Sequence, residues 1–350
     1  MNKQNQYQIV ENYGNYMHAG SKATNDVADI LTKVGFQSLE FINYQHQTSI
    51  FSKLLRQLKF IKQWIKIANT IPDNSTIVLQ HPFHVKHFCR FRILKQLKQK
   101  KKIKIISIVH DVEELRGLFT KTYYSVEFNQ MIALADSLIV HNEVMLDWFV
   151  SKGIEKTKLV NLEIFDYLND KILKPNRDIS KKIIIAGNLS KTKSPYIYML
   201  KELKDIEVDL FGINYEQSFE SENITYKGAF PAEQVPFELN EGLGLVWDGD
   251  KLDECSGATG NYLRYNNPHK LSLYLSSGRP VIVWSKSAEA KFVEENNIGF
   301  AVDSLFDIEK KLRSISNEEL INLESNAINI GKKLQNGTFL TKALKKSLEM

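Results

Sequence analysis

A lysine in the first turn of a helix opposes the helix dipole unless an anion lies beside it. Lys270 is such a lysine, within residues 262–284, YLRYNNPHKLSLYLSSGRPVIVW. Asn266 or Asn267 suits a helix cap there, and Pro268 suits the first helical position. The helix runs to about residue 276, Gly278 ends it, and 281–283 is a strand. Free backbone N–H groups at that helix start, beside a cation, would cradle a diphosphate. The plainer alternative is a solvated lysine after an ordinary turn.

Several other strand ends carry residues of the same character. In 183–195, IIIAGNLSKTKSP, a buried strand ends at Gly187, which lets a ligand approach the backbone. Asn188 can cap, Lys191 and Lys193 add charge, and Ser194-Pro195 starts a helix. Phe211-Gly212 offers a ring on which a base can stack, Gly228-Ala229-Phe230 precedes Pro231, and Trp247-Asp248 closes another strand. Taken singly, each also reads as a core aromatic or a plain turn. No G-x-G-x-x-G or Walker pattern is present, so dinucleotide dehydrogenases and P-loop enzymes lack support.

In the first half, His110-Asp111 follows the apolar run 103–109. A carboxylate at that strand end can take a proton from an acceptor hydroxyl, or can cap the next helix. Arg116 can hold an anion or pair with Glu113. The glycine-containing loop 14–22 precedes a helix and can approach the donor. His81, His84 and His87 have no matching cysteines and no H-E-x-x-H pattern, and Asp248 and Asp250 read as a glycine turn, so no metal is expected. The basic run 86–104 offers a surface for nucleic acid or an anionic membrane, but reads better as a solvated helix face, with Phe88, Phe91, Ile93, Leu94 and Leu97 buried.

The elements that must position these residues alternate in type along the chain. Strands are expected at 7–11, 36–42, 76–79, 103–109 and 137–140, with helices at 22–34, 51–68, 85–99 and 125–135. The pattern restarts after the polar, proline-marked stretch 174–178, with strands at 182–186, 208–211, 224–227, 244–247 and 280–283 and a last helix over 317–334. This predicts two Rossmann-like α/β domains, 1–170 and 171–350, facing each other across a cleft, the last helix packing back on the first.

Composition sets outer limits. A length of 350 residues suits two domains, and a formal charge of +5 suits an anionic ligand. Two cysteines far apart exclude a disulfide framework and fit a reducing compartment. The first residues lack the apolar core of a signal peptide, and no apolar run reaches bilayer length, so a cytoplasmic protein without a transmembrane segment is expected.

The motifs AGNLSK, ITYKGAF, YNNPHKLSLYLSSGRPVIVW and SAEAKFVEENNIGFAV resemble those of GT-B-fold glycosyltransferases. More closely, the chain resembles glucosyltransferase 3-like enzymes. These extend O-glycans on bacterial serine-rich-repeat adhesins and are related to β-1,6-galactofuranosyltransferases. The resemblance covers nearly the whole chain. It implies a UDP-sugar donor held mainly by the second domain, glucose as the sugar, a GlcNAc-bearing serine or threonine as acceptor, and a homo-oligomer. From the residues themselves, no metal or other cofactor and no nucleic-acid partner is expected. The resemblance also implies donor contacts for His18, Gly20 and Ser21, for Asn188 and Lys191, and for Phe211, to which the strand ends themselves add Gly187, Gly212, Trp247 and Asp248. The resemblance places Tyr265, Asn266 and Lys270 at the diphosphate; the helix start itself adds Asn267 and makes Lys270 catalytic, and position at a strand end alone makes Asp111 the candidate base. Many retaining GT-B enzymes carry two glutamates eight residues apart; Tyr265 and Leu273 stand there, so no stereochemical outcome carries over.

Overall fold

A computed structural model describes residues 5–12, 19–44, 49–117, 122–175, 180–216 and 221–350. The chain divides into two compact units. The first comprises Met1–Val140, Trp148–Leu162 and Thr341–Met350; the second comprises His141–Asp147 and Glu163–Leu340. Each is built on a six-stranded sheet. The chain therefore enters the second unit first at His141 and again at Glu163, and its last ten residues belong to the first.

The first sheet contains β1 (Gln6–Asn12), β2 (Gln37–Ile42), β3 (Thr76–His81), β4 (Lys104–Val109), β5 (Ser137–Val140) and β6 (Leu159–Asn161). Their order is β2-β1-β3-β4-β5-β6, every neighbouring pair parallel. Runs such as IISIV in β4 are apolar because helices cover both faces of a parallel sheet. Phe60 and Trp64 of the helix Ile50–Thr70 join Phe41, Ile71, Ile77 and Leu79 in one buried core.

His87 is sealed into this core, its ring 4.5 Å from Phe41 and 4.1 Å from Phe60. Trp64 Nε1 donates to its Nδ1 at 3.2 Å, so its other nitrogen, Nε2, donates to Asn43 Oδ1 at 3.0 Å. Burial first, then the Arg90 and Arg56 charges, push its pKa down to about 3. His87 is thus a structural neutral imidazole.

The expected helix over 85–99 is Arg90–Lys101. Residues before it form a turn, with Tyr123 Oη donating to the carbonyls of Phe83 and Val85. Phe88, expected inside, is 67% exposed as a result. The C-terminal helical stretch is two helices, Asn317–Gln335 and Thr338–Glu349, separated at Gly337 with φ +69°. Among the described residues no helix is long and apolar enough to cross a membrane.

The second sheet contains β7 (Ile183–Asn188), β8 (Val208–Ile213), β9 (Ile224–Gly228), β10 (Leu243–Val246), β11 (Val281–Trp284) and β12 (Gly299–Val302). The order β9-β8-β7-β10-β11-β12 is again wholly parallel. Strand order reverses between β7 and β10, and a crevice opens beyond the strand ends at such a switch point. Chain connectivity therefore picks out the ends of β7 and β10 before any side chain is considered.

Candidate functional site

Lys270 lies at that switch point. Its Nζ donates to the Trp247 carbonyl at 3.0 Å and to Asp248 Oδ1 at 2.9 Å, both just beyond β10. The pair is partly open to solvent, with side-chain exposures of 24% and 16%. Lys270 stands in the first turn of the helix His269–Ser276. Pro268 occupies the cap position itself, with ψ 130° and no side-chain cap, rather than the first helical position. The lysine's misfit with the dipole is thus met within the protein by Asp248, leaving the ammonium anchored and reachable.

The turn before this helix is clamped from below. Asn267 N donates to His141 Nδ1 at 2.8 Å, and its amide nitrogen donates to the carbonyls of His141 and Glu163. Asn142 Nδ2 donates to Asn267 Oδ1 at 2.6 Å and to the Tyr265 carbonyl at 3.0 Å. Asn267 is therefore a buried clasp whose amide is consumed inside the fold. Asn266 differs: its Oδ1 is buried with no hydrogen-bond partner. His141 and Asn142 escape sequence reasoning because their partners lie about 125 residues away, although two polar residues directly after a buried strand are a signal of position.

Around β7 and β8 the backbone defines the surface. Register pairs Gly187 with Gly212 and Asn188 with Ile213. Gly212, at φ +152°, would bring a Cβ to 1.8 Å from the Gly187 carbonyl oxygen, so only glycine fits. Gly187 is exposed, and nothing lies within 4 Å of where its Cβ would stand. Asn188 Oδ1 accepts from Ser190 N at 3.0 Å and from Asn214 Nδ2 at 3.2 Å, and Lys191 is exposed on the same loop.

Two aromatic expectations land differently. Phe211 is 7% exposed and packs 6.4 Å from the Phe230 ring. Trp247 is fully buried, with Nε1 donating to the Lys251 carbonyl. A base needs an open ring face to stack on. What Trp247 offers the site is its carbonyl. Leu273 is buried, while Tyr265 is half-buried.

Glu289 is a carboxyl that sequence reasoning missed. It is 1% exposed, and neither oxygen has a well-formed hydrogen bond, the Asn142 amide being its polar neighbour. Burial pushes its pKa well above the ordinary 4.5, so the folded protein holds it neutral. Below 4.5 both folded and unfolded chains keep the proton. Above it only the unfolded chain releases the proton, so stability falls as pH rises. Glu289→Gln should therefore raise the melting temperature by a few degrees at pH 7.5 and by nothing at pH 4. Melting curves at the two pH values check this; equal gains at both would contradict it.

In the first unit, Asp111 follows β4 and accepts from Arg116 Nη1 at 2.8 Å. Arg116 also reaches Glu113 at 3.3 Å, so it joins both carboxylates. Val112, not Asp111, stands at the helix cap position. Burial raises the Glu113 pKa against the lowering effect of Arg116. His81 Nδ1 pairs with Glu127 at 2.6 Å, and His84 with the Tyr124 hydroxyl at 3.4 Å. No metal-holding group of three or more His, Cys, Asp or Glu occurs among the described residues. Gly20 and Ser21 fall in the first turn of the helix Ala19–Lys33, and His18 lies outside the described residues.

Comparison with known proteins gives consistent results. The model for the glucosyltransferase 3-like N-terminal domain matches residues 6–164, and that for the C-terminal domain matches 183–347. The chain is 32% identical over 338 residues to the beta-1,6-galactofuranosyltransferase WbbI of Escherichia coli K12, covering 95% of this chain and 94% of that protein. It is 26% identical over 324 residues to Glucosyltransferase 3 of Streptococcus gordonii, covering 92% of each. In structure it is similar to the lipopolysaccharide outer core galactosyltransferase WaaB in apo form, with TM-score 0.63, 11% identity, and coverage of 98% of this chain and 99% of that one. It is also similar to Anabaena Alr3699/HepE in complex with UDP and glucose, with TM-score 0.61, 13% identity, and the same coverage. These structural likenesses show the GT-B fold, with its two Rossmann-like domains.

Proposed function

The chain belongs to the glucosyltransferase 3-like family of glycosyltransferases, and from that premise we propose that it moves a hexose, glucose in the first instance, from a UDP-sugar to a GlcNAc-bearing serine or threonine. The carrying observation is the Lys270–Asp248 pair at the switch point of the second sheet. The diphosphate rests at the start of the helix His269–Ser276, where Lys270 turns from Asp248 toward the phosphate oxygens. Gly187 and Asn188 at the end of β7, and Lys191 on the loop beyond it, are its further proposed contacts. An acceptor hydroxyl attacks C1 of the sugar, the bond from C1 to the phosphate oxygen breaks, and UDP leaves. Its growing charge is met by Lys270, the role a metal ion fills elsewhere. The hydroxyl proton passes to a carboxylate, for which Asp111 in the Asp111–Glu113–Arg116 cluster is the proposed base. Asn266, with its unpartnered oxygen beside the turn, is the further donor contact. The working protein is proposed to be a cytoplasmic homo-oligomer acting on serine-rich-repeat glycoproteins.

A second reading is favoured by the 32% identity to a galactofuranosyltransferase: galactofuranose as the sugar, in surface polysaccharide synthesis. Incubation with UDP-glucose, UDP-galactofuranose and UDP-GlcNAc in turn, each with a GlcNAc-peptide, separates the readings. The expected result is UDP release that requires the peptide, and a hexose mass increment with UDP-glucose, unchanged by a chelator. Increment with UDP-galactofuranose alone supports the second reading. No acceptor-dependent UDP release from any donor would remove both.

A further inference from the structure

The helix Ile50–Thr70 has two apolar faces. One is the core face, formed by Phe60, Trp64 and Ile67, which are buried. The other points to solvent. Phe51, Leu54, Leu55, Leu58 and Ile65 are exposed by 44% to 71%. At 100° per residue these five fall on one stripe opposite the core face, along a helix about 31 Å long. Isolated exposed leucines are ordinary, but a continuous apolar stripe on a helix marks an interaction surface.

The charge on this helix is one-sided. It carries Lys53, Arg56, Lys59, Lys62 and Lys66 and no aspartate or glutamate. Lys59 and Lys66 are exposed along one edge of the stripe, and Lys62 is exposed within it. The surface continues onto neighbouring elements. Lys59 Nζ lies 4.6 Å over the Tyr44 ring, and Ile42 and Tyr44 are exposed beside it. Gln57 bonds the Lys86 carbonyl and the Phe88 N–H, holding that turn against the helix. Phe88 is exposed there, with Lys86 Nζ 5.1 Å over its ring.

We propose that this face docks flat on an anionic lipid surface, its leucines and phenylalanines entering the headgroup boundary and its lysines meeting the lipid charges. An apolar stripe bordered by cations matches a surface that is apolar below and negative above. A second copy of the same face fits poorly, because it would set lysine against lysine. The first unit would then work at the membrane surface; among the described residues no helix is long and apolar enough to cross it.

Flotation of the full-length protein with vesicles tests this. Vesicles of phosphatidylcholine mixed with phosphatidylglycerol should recover about tenfold more protein than pure phosphatidylcholine vesicles, and high salt should abolish the difference. A Leu55→Glu/Leu58→Glu variant and a Lys59→Glu/Lys62→Glu/Lys66→Glu variant should each lose this binding. All these side chains point to solvent, so both variants should keep the wild-type circular dichroism spectrum. Equal recovery with neutral and anionic vesicles, recovery with neither, or binding unchanged in the Leu55→Glu/Leu58→Glu variant would overturn the proposal. So would a wild-type oligomer that this variant alone dissociates, because a second copy would then be the occupant. The salt response of the wild type tests the proposal even without the variants.

Discussion

Replacing Lys270 with alanine should lower sugar transfer by a factor of about 100 to 1,000 while leaving the second unit folded. The ammonium is the cation held at the switch point, anchored to the Trp247 carbonyl and Asp248. Its helix does not depend on it for packing: Leu271, Tyr274 and Leu275 are fully buried, and Tyr274 Oη accepts from Ala186 N at 2.8 Å. The loss should fall mainly on kcat, because charge develops on the leaving diphosphate only as the bond breaks. Lys270→Arg should recover part of the rate, since it keeps the charge and alters the geometry. Removing the lysine also leaves Asp248 without its cation. Asp248→Asn/Lys270→Ala therefore relieves any structural cost while still lacking the catalytic charge. If that double variant melts like wild type and stays inactive, the lysine's role is chemical. Wild-type turnover in Lys270→Ala would refute it.

Local features of this site were legible in the sequence. Parallel sheets carry continuous apolar runs, so β4 and β7 were visible as IISIV and IIIA. Once strands are parallel, their C-terminal ends share an edge, and Gly187, Gly212 and Asp248 fall there together. Pairings across the chain were not legible. The clasp of His141 and Asn142 on Asn267, and the bond from Lys270 to Asp248, depend on which loop crosses which. Residue type also misleads at strand ends. An aromatic there can face a ligand or the core, and alternation does not decide once helices cover both faces. Phe211 and Trp247 went to the core, whereas Phe88 went to solvent because its helix starts later than the periodicity suggests. The helix Ile50–Thr70 shows the same ambiguity: its apolar residues satisfy two faces, and the sequence does not say which one is covered.

Arg279, the residue after Gly278 in the SGRP motif, gives the second large effect. Gly278 stops the site helix with φ +77°, and Arg279 then turns inward. Its Nη1 donates to the Asn240 carbonyl at 3.0 Å, and its Nη2 meets Glu324 Oε1 at 2.6 Å. The two side chains are 4% and 0% exposed. Glu324 belongs to the helix Asn317–Gln335, which lies against the site helix so closely that a Cβ on Gly331 would come within 2.3 Å of the Leu275 carbonyl. Glu324→Ala leaves a guanidinium buried without its counter-charge, which should destabilise the second unit by about 3–5 kcal/mol. Replacing both partners by apolar residues, as Arg279→Met/Glu324→Leu, removes the unpaired charge and should restore stability to near wild type. The melting transition of the second unit should therefore fall by several degrees in the single variant and return in the double. Donor binding should follow stability in both, since neither residue reaches the Lys270 end of the helix. The alanine variant of Lys270 should behave in the opposite way, stable but inactive. A Glu324→Ala protein that melts with the wild type would mean that the pair does not hold the site helix in place.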